Sequence, residues 1–166
     1  LLSLFFRIRL FGMRHRNDFL LPAPLGELGI KRAHDEMMTA EETIDAVKAA
    51  VSLGIKKIRI TGGEPLVKRG IVKLCSAISA IEGVEELCIT TNGTLLPKFG
   101  KELREAGVSR VNISLDTLDP DKYREITRVG ELSEALVGID AAFEAGFDNI
   151  KINNVLMGGF NDDEIE

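Results

Sequence analysis

Apolar and polar residues alternate along four short segments: Ile58-Arg59-Ile60-Thr61, Leu87-Cys88-Ile89-Thr90, Val111-Asn112-Ile113-Ser114-Leu115-Asp116 and Ile150-Lys151-Ile152-Asn153. A period of two predicts strands with one face in a core. Ile58, Ile60, Leu87, Ile89, Val111, Ile113, Ile150 and Ile152 suit that face. The other face carries Arg59, Thr61, Thr90, Asn112, Ser114, Lys151 and Asn153.

A helical pattern precedes each strand, so the strands are expected to be parallel. Thr39 with Glu42 has capping-box spacing, and Ile44, Val47 and Val51 then share a helix face. The second helix presents Ile71, Leu74, Cys75 and Ile78, and the third Leu103 and Ala106. The fourth crossover begins at Pro120 and continues into a helix whose core face reads as Leu132, Leu136, Ile139 and Phe143. Gly54, Gly83, Gly107 and Gly146 close the helices. A doubly wound sheet would be covered on both faces. Polar residues on one face of every strand favour an arc of a (βα) barrel instead. Closed barrels fill that lumen with branched apolar side chains. A polar lumen is costly to bury unpaired, so this one should hold water or a polar ligand.

Residues 1–30 break the pattern and are expected to be irregular, leaving 31–166 as the barrel core. Arg7, Arg9, Arg14 and Arg16 lie there among Phe5, Phe6, Phe11 and Phe19. Within the stretch, Phe6-Arg7-Ile8-Arg9-Leu10 is the best candidate for a strand. Near the other end, Asn161-Asp162-Asp163-Glu164 reads as an N-cap with an acidic first turn. With no methionine at position 1 and an end at Glu166 one turn into that helix, the chain is expected to be a fragment.

Composition narrows the function. The 166 residues are 45 % apolar and 28 % charged, with a net charge of −5. That argues against a general nucleic-acid binder, and no apolar run is long enough to cross a membrane. Cys75 and Cys88 fit no metal-ligand spacing and read as core residues. Nothing points to an oxidising compartment, so a cytoplasmic location is expected.

In parallel βα folds the chemistry gathers at the C-terminal ends of strands. Thr61-Gly62-Gly63-Glu64-Pro65-Leu66 falls there, where two glycines let the backbone approach a ligand and Glu64 can accept from an ammonium. Thr90-Thr91-Asn92-Gly93 ends the next strand. Arg59 and Lys151 place two cations on the lumen side, which suits a phosphorylated ligand. The alternative is an internal ion pair of either cation with Glu64 or Asp116.

These motifs resemble the radical S-adenosylmethionine (SAM) superfamily: Gly-Gly-Glu-Pro after one strand, Thr-Thr-Asn-Gly after the next, and Asn112-x-Ser114-Leu115-Asp116 on the third. The longer run of His34-Asp35-Glu36-Met37-Met38-Thr39, Lys57 through Leu66, and Lys151 through Asp163 is similar to the GTP 3′,8-cyclases of molybdenum cofactor (molybdopterin) biosynthesis. That resemblance implies a partial, TIM-like α/β barrel, SAM and a [4Fe-4S] cluster as cofactors, and a lyase that converts GTP to (8S)-3′,8-cyclo-7,8-dihydroguanosine 5′-triphosphate. It implies SAM contacts at Gly62, Gly63, Glu64 and Ser114, and GTP contacts at Arg59, Thr90 and Lys151. It also implies a homodimer and hand-off of the product to cyclic pyranopterin monophosphate synthase.

One departure is large. The family holds its cluster with C-x3-C-x2-C, and the stretch from Gly12 to Ala23 has no cysteine. Without three thiolates there is no cluster site, so no catalytic or metal-ligating residue is assigned and the chain is expected to be inactive. A reading-frame change upstream of about Gly29 with truncation after Glu166 would explain this, as would a homologue that works without the cluster. The other functional readings are a non-catalytic nucleotide-binding barrel module and a radical SAM enzyme with another substrate.

Overall fold

The computed structural model describes residues 5–9 and 38–164. Five strands form one parallel sheet: β1 (Phe5–Arg9), β2 (Lys57–Thr61), β3 (Glu86–Thr91), β4 (Arg110–Ser114) and β5 (Ile150–Asn153). Their spatial order is β1-β2-β3-β4-β5, the order in the chain, with every neighbouring pair parallel. A doubly wound sheet reverses its strand order at a switch point, and no such reversal exists here. The helices are α1 (Ala40–Ser52), α2 (Ile71–Ser79), α3 (Leu96–Glu105), α4 (Pro120–Thr127) and α5 (Leu132–Glu144).

Local sequence accounts for the boundaries. The capping box opens α1: Glu42 N donates to Thr39 Oγ1 at 3.1 Å, and Thr39 N donates to Glu42 Oε2 at 2.7 Å. Asp119 caps α4 by accepting from Asp121 N and Lys122 N. The glycines expected to end the helices, Gly54, Gly83, Gly107 and Gly146, all have positive φ.

The core lies on one side of the sheet. Ile58, Ile60, Leu87, Ile89, Val111 and Ile113 are each at most 1 % exposed. They pack with Val47 of α1, Leu74 and Ile78 of α2, Leu103 of α3 and Ala142 of α5. Full burial of each such side chain stabilises the fold by about 1.5–3 kcal/mol. Among the described residues, the strand side chains in this cluster come from the predicted apolar face.

Four expectations need correction. On α5 the buried residues are Leu132, Ala135, Gly138 and Ala142, while Phe143 is 62 % exposed and Leu136 40 %. The cause is a close approach: a Cβ on Gly138 would lie 2.1 Å from the Gly93 carbonyl oxygen, so this face must be small. On β5, the last strand of the described sheet, Ile150 is only half-buried and Ile152 is 43 % exposed. Within residues 1–30, Phe5–Arg9 forms a strand in register with β2, from Phe5 beside Lys57 to Arg9 beside Thr61. The remainder of that stretch lies outside the described residues. Finally, Asn161 does not cap a helix with its side chain. Buried to 2 % exposure, it donates Nδ2 to the carbonyls of Asp116 and Val155 and accepts from Met157 N. Among the described residues a short 3-10 turn, Asp162–Glu164, follows it.

Candidate functional site

The strand register sorts the polar face into rows. Nearest the N-terminal ends of the strands, Glu86 lies beside Lys57 in register, with its carboxylate 3.1 Å from Lys57 Nζ and 3.3 Å from Arg110 Nη1. The next row is Arg59, Cys88 and Arg110. Above it, Thr90, Asn112 and Lys151 are successive partners across β3, β4 and β5. Ser114 and Asn153 pair in the top row. Neighbouring strands are about 4.8 Å apart, so side chains of one row can meet a single small ligand. Of the residues predicted to line the lumen, Arg59, Thr90, Asn112, Ser114 and Lys151 therefore do share one face. Lys151 is the most exposed of them, because β5 is the outermost strand described.

Two groups of polar side chains behave oppositely. At the rim they are consumed by the protein itself. Glu64 accepts Leu66 N (3.0 Å) and Thr91 Oγ1 (2.6 Å) on Oε1, and Asn92 N (2.7 Å) on Oε2. Asp116 Oδ1 accepts Val155 N at 2.8 Å, and Asn154 Nδ2 donates to the Asp116 carbonyl, also at 2.8 Å. For four side chains inside the lumen the reverse holds. Asn112 is 1 % exposed, yet its Oδ1 has no hydrogen-bond partner. Among the described residues, the side chains of Thr90, Ser114 and Lys151 form no hydrogen bond or ion pair. The internal ion pair considered for Lys151 is therefore absent among these residues. Buried polar groups are nearly always satisfied, so Asn112 is the exception in this lumen, while the half-buried Thr90 and Ser114 and the exposed Lys151 remain open to solvent.

The Glu64 carboxylate is already bonded within the protein, with one acceptor position left open. Three of its roughly four acceptor positions are taken by the loop it belongs to and by the loop after β3. Burial raises its pKa above the ordinary carboxylate value, against the lowering effect of the bonds from Asn92, Thr91 and Leu66. Gly62 and Gly63 remain half-buried at the end of β2, where their backbone can meet a ligand.

The face is strongly cationic. Lys57, Arg59, Arg110 and Lys151 alternate with neutral groups, and Glu86 is the carboxylate among them. Sequence reasoning overlooked Arg110, although counting back two residues from Asn112 puts it on the same side. Cys88 also faces the lumen between Arg59 and Arg110, and its Sγ lies 3.7 Å from the Ile89 carbonyl. Burial raises its pKa, and the two arginines oppose that rise.

The cluster implied by the sequence resemblance does not fit these residues. Cys75 and Cys88 are the only cysteines of the chain, and both are fully buried. Cys75 packs in the core on the helix side of the sheet, whereas Cys88 lies on the lumen side. Burial pushes the Cys75 thiol up to about 12, away from the thiolate that a metal requires. No group of three His, Cys, Asp or Glu side chains among the described residues could hold a metal ion. SAM fares better, because its nucleoside has hydroxyls and ring nitrogens that the Ser114 hydroxyl can meet. Among the described residues no helix is long and apolar enough to cross a membrane.

Known proteins agree with this architecture. HydG, a maturase of the [FeFe]-hydrogenase, superposes with a TM-score of 0.58 at 19 % identity, covering 70 % of this chain and 28 % of that one. Coproporphyrinogen III oxidase (HemN) from Escherichia coli, a radical SAM enzyme, gives 0.57 at 16 % identity, covering 90 % and 36 %. At such identities the likeness concerns the fold alone. In sequence, GTP 3′,8-cyclases from Alkaliphilus oremlandii and Peptoclostridium acidaminophilum are each 57 % identical over 136 residues, 82 % of this chain and 42 % of theirs. The Geobacter sulfurreducens GTP 3′,8-cyclase is 54 % identical over 150 residues, 90 % of this chain and 45 % of its own length. The chain thus spans less than half the length of these relatives. The sequence model of the radical SAM superfamily matches residues 17–166, reaching into the stretch that pattern alone left irregular. With that match over most of its length and a sequential parallel arc beneath it, the chain belongs to the radical SAM superfamily.

Proposed function

We propose that this chain is the barrel portion of a GTP 3′,8-cyclase of molybdenum cofactor biosynthesis, and that its lumen takes SAM and GTP side by side. The observation that carries this reading is the contrast between a rim whose carboxylates are bonded to the protein and the buried Asn112 Oδ1 beside Lys151, which has no partner among the described residues, seen in a chain 57 % identical to relatives of that name. Gly62 and Gly63 offer backbone to SAM, and the Ser114 hydroxyl offers one hydrogen bond. Glu64 shapes their loop. Arg59, Thr90 and Lys151 face GTP, and the two cations suit its phosphates. SAM supplies the 5′-deoxyadenosyl group in this chemistry.

The residues present stop short of the reaction. Without three thiolates the chain binds and orients nucleotides but does not convert GTP to (8S)-3′,8-cyclo-7,8-dihydroguanosine 5′-triphosphate. The missing thiols favour a second reading, a nucleotide-binding barrel without catalysis. A cytoplasmic location, a homodimer and hand-off to cyclic pyranopterin monophosphate synthase belong to the cyclase reading through resemblance to its relatives.

Titration of the purified chain with GTP tests the core of the proposal. Saturable binding is expected, and Lys151→Met should weaken it about tenfold or more, since charge-assisted bonds to phosphate are among the stronger ones. Absence of binding, or binding indifferent to Lys151, would remove the lumen from the account.

A further inference from the structure

We infer that Asn112 is a ligand residue of the nucleotide site, and that its side-chain oxygen accepts a hydrogen bond from a ribose hydroxyl of GTP. The inference deepens the GTP reading and rests on it.

Asn112 occupies the middle of the lumen row, between Thr90 and Lys151 in register. At 1 % exposure its amide is enclosed, yet Oδ1 has no partner. Rim amides of the same residue type show what a structural role looks like in this fold. Asn161 uses both ends of its side chain on the protein. The Asn92 Oδ1 accepts from both Thr94 N and Thr94 Oγ1. An orphaned acceptor kept inside a polar lumen is a standing cost that a ligand donor would relieve.

The identity of the donor follows from chemistry. Phosphate oxygens are acceptors at neutral pH, so the triphosphate cannot satisfy Oδ1. GTP offers donors at its ribose hydroxyls and at the guanine edge. Lys151, the cation suited to phosphate, is one strand spacing away, about 4.8 Å. The ribose is joined directly to the first phosphate, whereas the guanine edge lies beyond the sugar. With Lys151 on phosphate, the ribose is the nearest donor-bearing part of GTP to Asn112. The amide then reads the sugar, and the site distinguishes ribonucleotides from deoxyribonucleotides.

The test measures affinity of the 166-residue chain for GTP, 2′-deoxyGTP and 3′-deoxyGTP, with melting temperatures in the absence of ligand. The unaltered chain should bind at least one deoxy analogue about tenfold more weakly than GTP. Asn112→Leu should lose about tenfold in GTP affinity, no longer distinguish that analogue, and melt at the same temperature or higher without ligand. Equal binding of all three nucleotides to the unaltered chain would overturn the inference without any variant, so a misfolded Asn112→Leu cannot shelter it. An Asn112→Leu chain that melts lower and keeps its GTP affinity would make the residue structural. If Asn112→Leu instead weakens S-adenosylhomocysteine and spares GTP, the amide belongs to the cofactor and the inference fails. GTP binding that needs Lys151 but ignores Asn112 overturns this inference alone. No GTP binding at all overturns the GTP reading and this inference together.

Discussion

Glu64 and Glu164 grip neighbouring loops in the same way from opposite flanks of the arc. Thr91 Oγ1 donates to Glu64 Oε1 at 2.6 Å, and Thr117 Oγ1 donates to Glu164 Oε1 at the same distance. The next backbone N–H, of Asn92 or Leu118, donates to the second carboxylate oxygen at 2.7 Å in each case. Each threonine hydroxyl then accepts from the N–H two residues on, Gly93 at 3.1 Å and Asp119 at 3.0 Å. The loop after β3 is thus fixed from the β2 side, and the loop after β4 from the β5 side. Thr90 and Ser114 stand between the two clamps. A donor chain that ends on a carboxylate is reinforced by its charge, so each loop is held before any ligand arrives.

Removing one hydroxyl should reveal how much the inner clamp contributes. Thr91→Val keeps the shape of the side chain and deprives a largely buried carboxylate of a donor, at a cost of about 1–3 kcal/mol. Thr117 is as buried as Thr91, but Thr117→Val deprives the more exposed Glu164 carboxylate and should cost less. Urea denaturation of both variants checks this. A neutral Thr91→Val would show that the clamp is incidental.

The same two clamps should respond to pH with opposite sign. Burial raises the Glu64 pKa above the ordinary 4.5 despite its three hydrogen bonds. The folded state therefore holds the Glu64 proton more tightly than the unfolded chain does. Its contribution to stability is full below pH 4.5 and is lost as pH rises through the folded value. Hydrogen bonds from Thr117 and Leu118 instead lower the Glu164 pKa below 4.5. Its contribution is present above pH 4.5 and is lost as pH falls through the folded value. Carboxylate titration by NMR should place Glu64 above and Glu164 below the ordinary value. Both on the same side of it would refute the contrast.

The contact between α5 and the loop after β3 leaves no room for a methyl group. On Gly138 a Cβ would approach the Gly93 carbonyl oxygen to 2.1 Å and its carbon to 2.7 Å. Backbone cannot swing aside as a side chain can, so Gly138→Ala should destabilise the fold by about 1–3 kcal/mol or more. Because Gly93 follows Thr90-Thr91-Asn92, ligand binding should weaken as well. Gly146 is a useful control, since a Cβ there meets nothing within 4 Å and only its φ of +81° opposes alanine. Gly146→Ala should cost about 1–2 kcal/mol and leave the binding site intact. Thermal melts with and without GTP separate the two effects.

What the sequence made legible follows from local periodicity. Strands half-buried in a one-sided core must alternate, so the apolar face of β2, β3 and β4 and the opposite polar face, from Arg59 on β2 to Lys151 on β5, could be read directly. Helix ends with a capping box or a closing glycine were equally plain. The face of α5 was not legible, because Leu136 and Phe143 have good helical spacing and only the approach of Gly138 to Gly93 excludes them. The clamps were hidden for a related reason. Thr91 is 27 residues from Glu64, and Thr117 is 47 from Glu164. Nothing in Gly62-Gly63-Glu64 announces that the carboxylate also bonds the next loop. Asn161 misled in the same way, since its cap-like sequence is used for tertiary bonds to Asp116 and Val155.

The cysteines set the last expectation. A cubane cluster needs three protein thiolates beside the open coordination site that SAM uses. This chain has two thiols, fully buried on opposite sides of the sheet. Burial holds Cys75 protonated to about pH 12 and raises Cys88 as well, so neither is poised to ligate iron. Anaerobic reconstitution with iron and sulfide should therefore leave no protein-bound cluster, and dithionite with SAM should release no 5′-deoxyadenosine. Replacing residues 12–22 with the family's C-x3-C-x2-C loop supplies the missing ligands, and SAM cleavage should then appear. Release of 5′-deoxyadenosine by the unmodified chain above a protein-free control would require a cluster held by ligands other than these two cysteines, and the assignment of the chain as catalytically inert would fall.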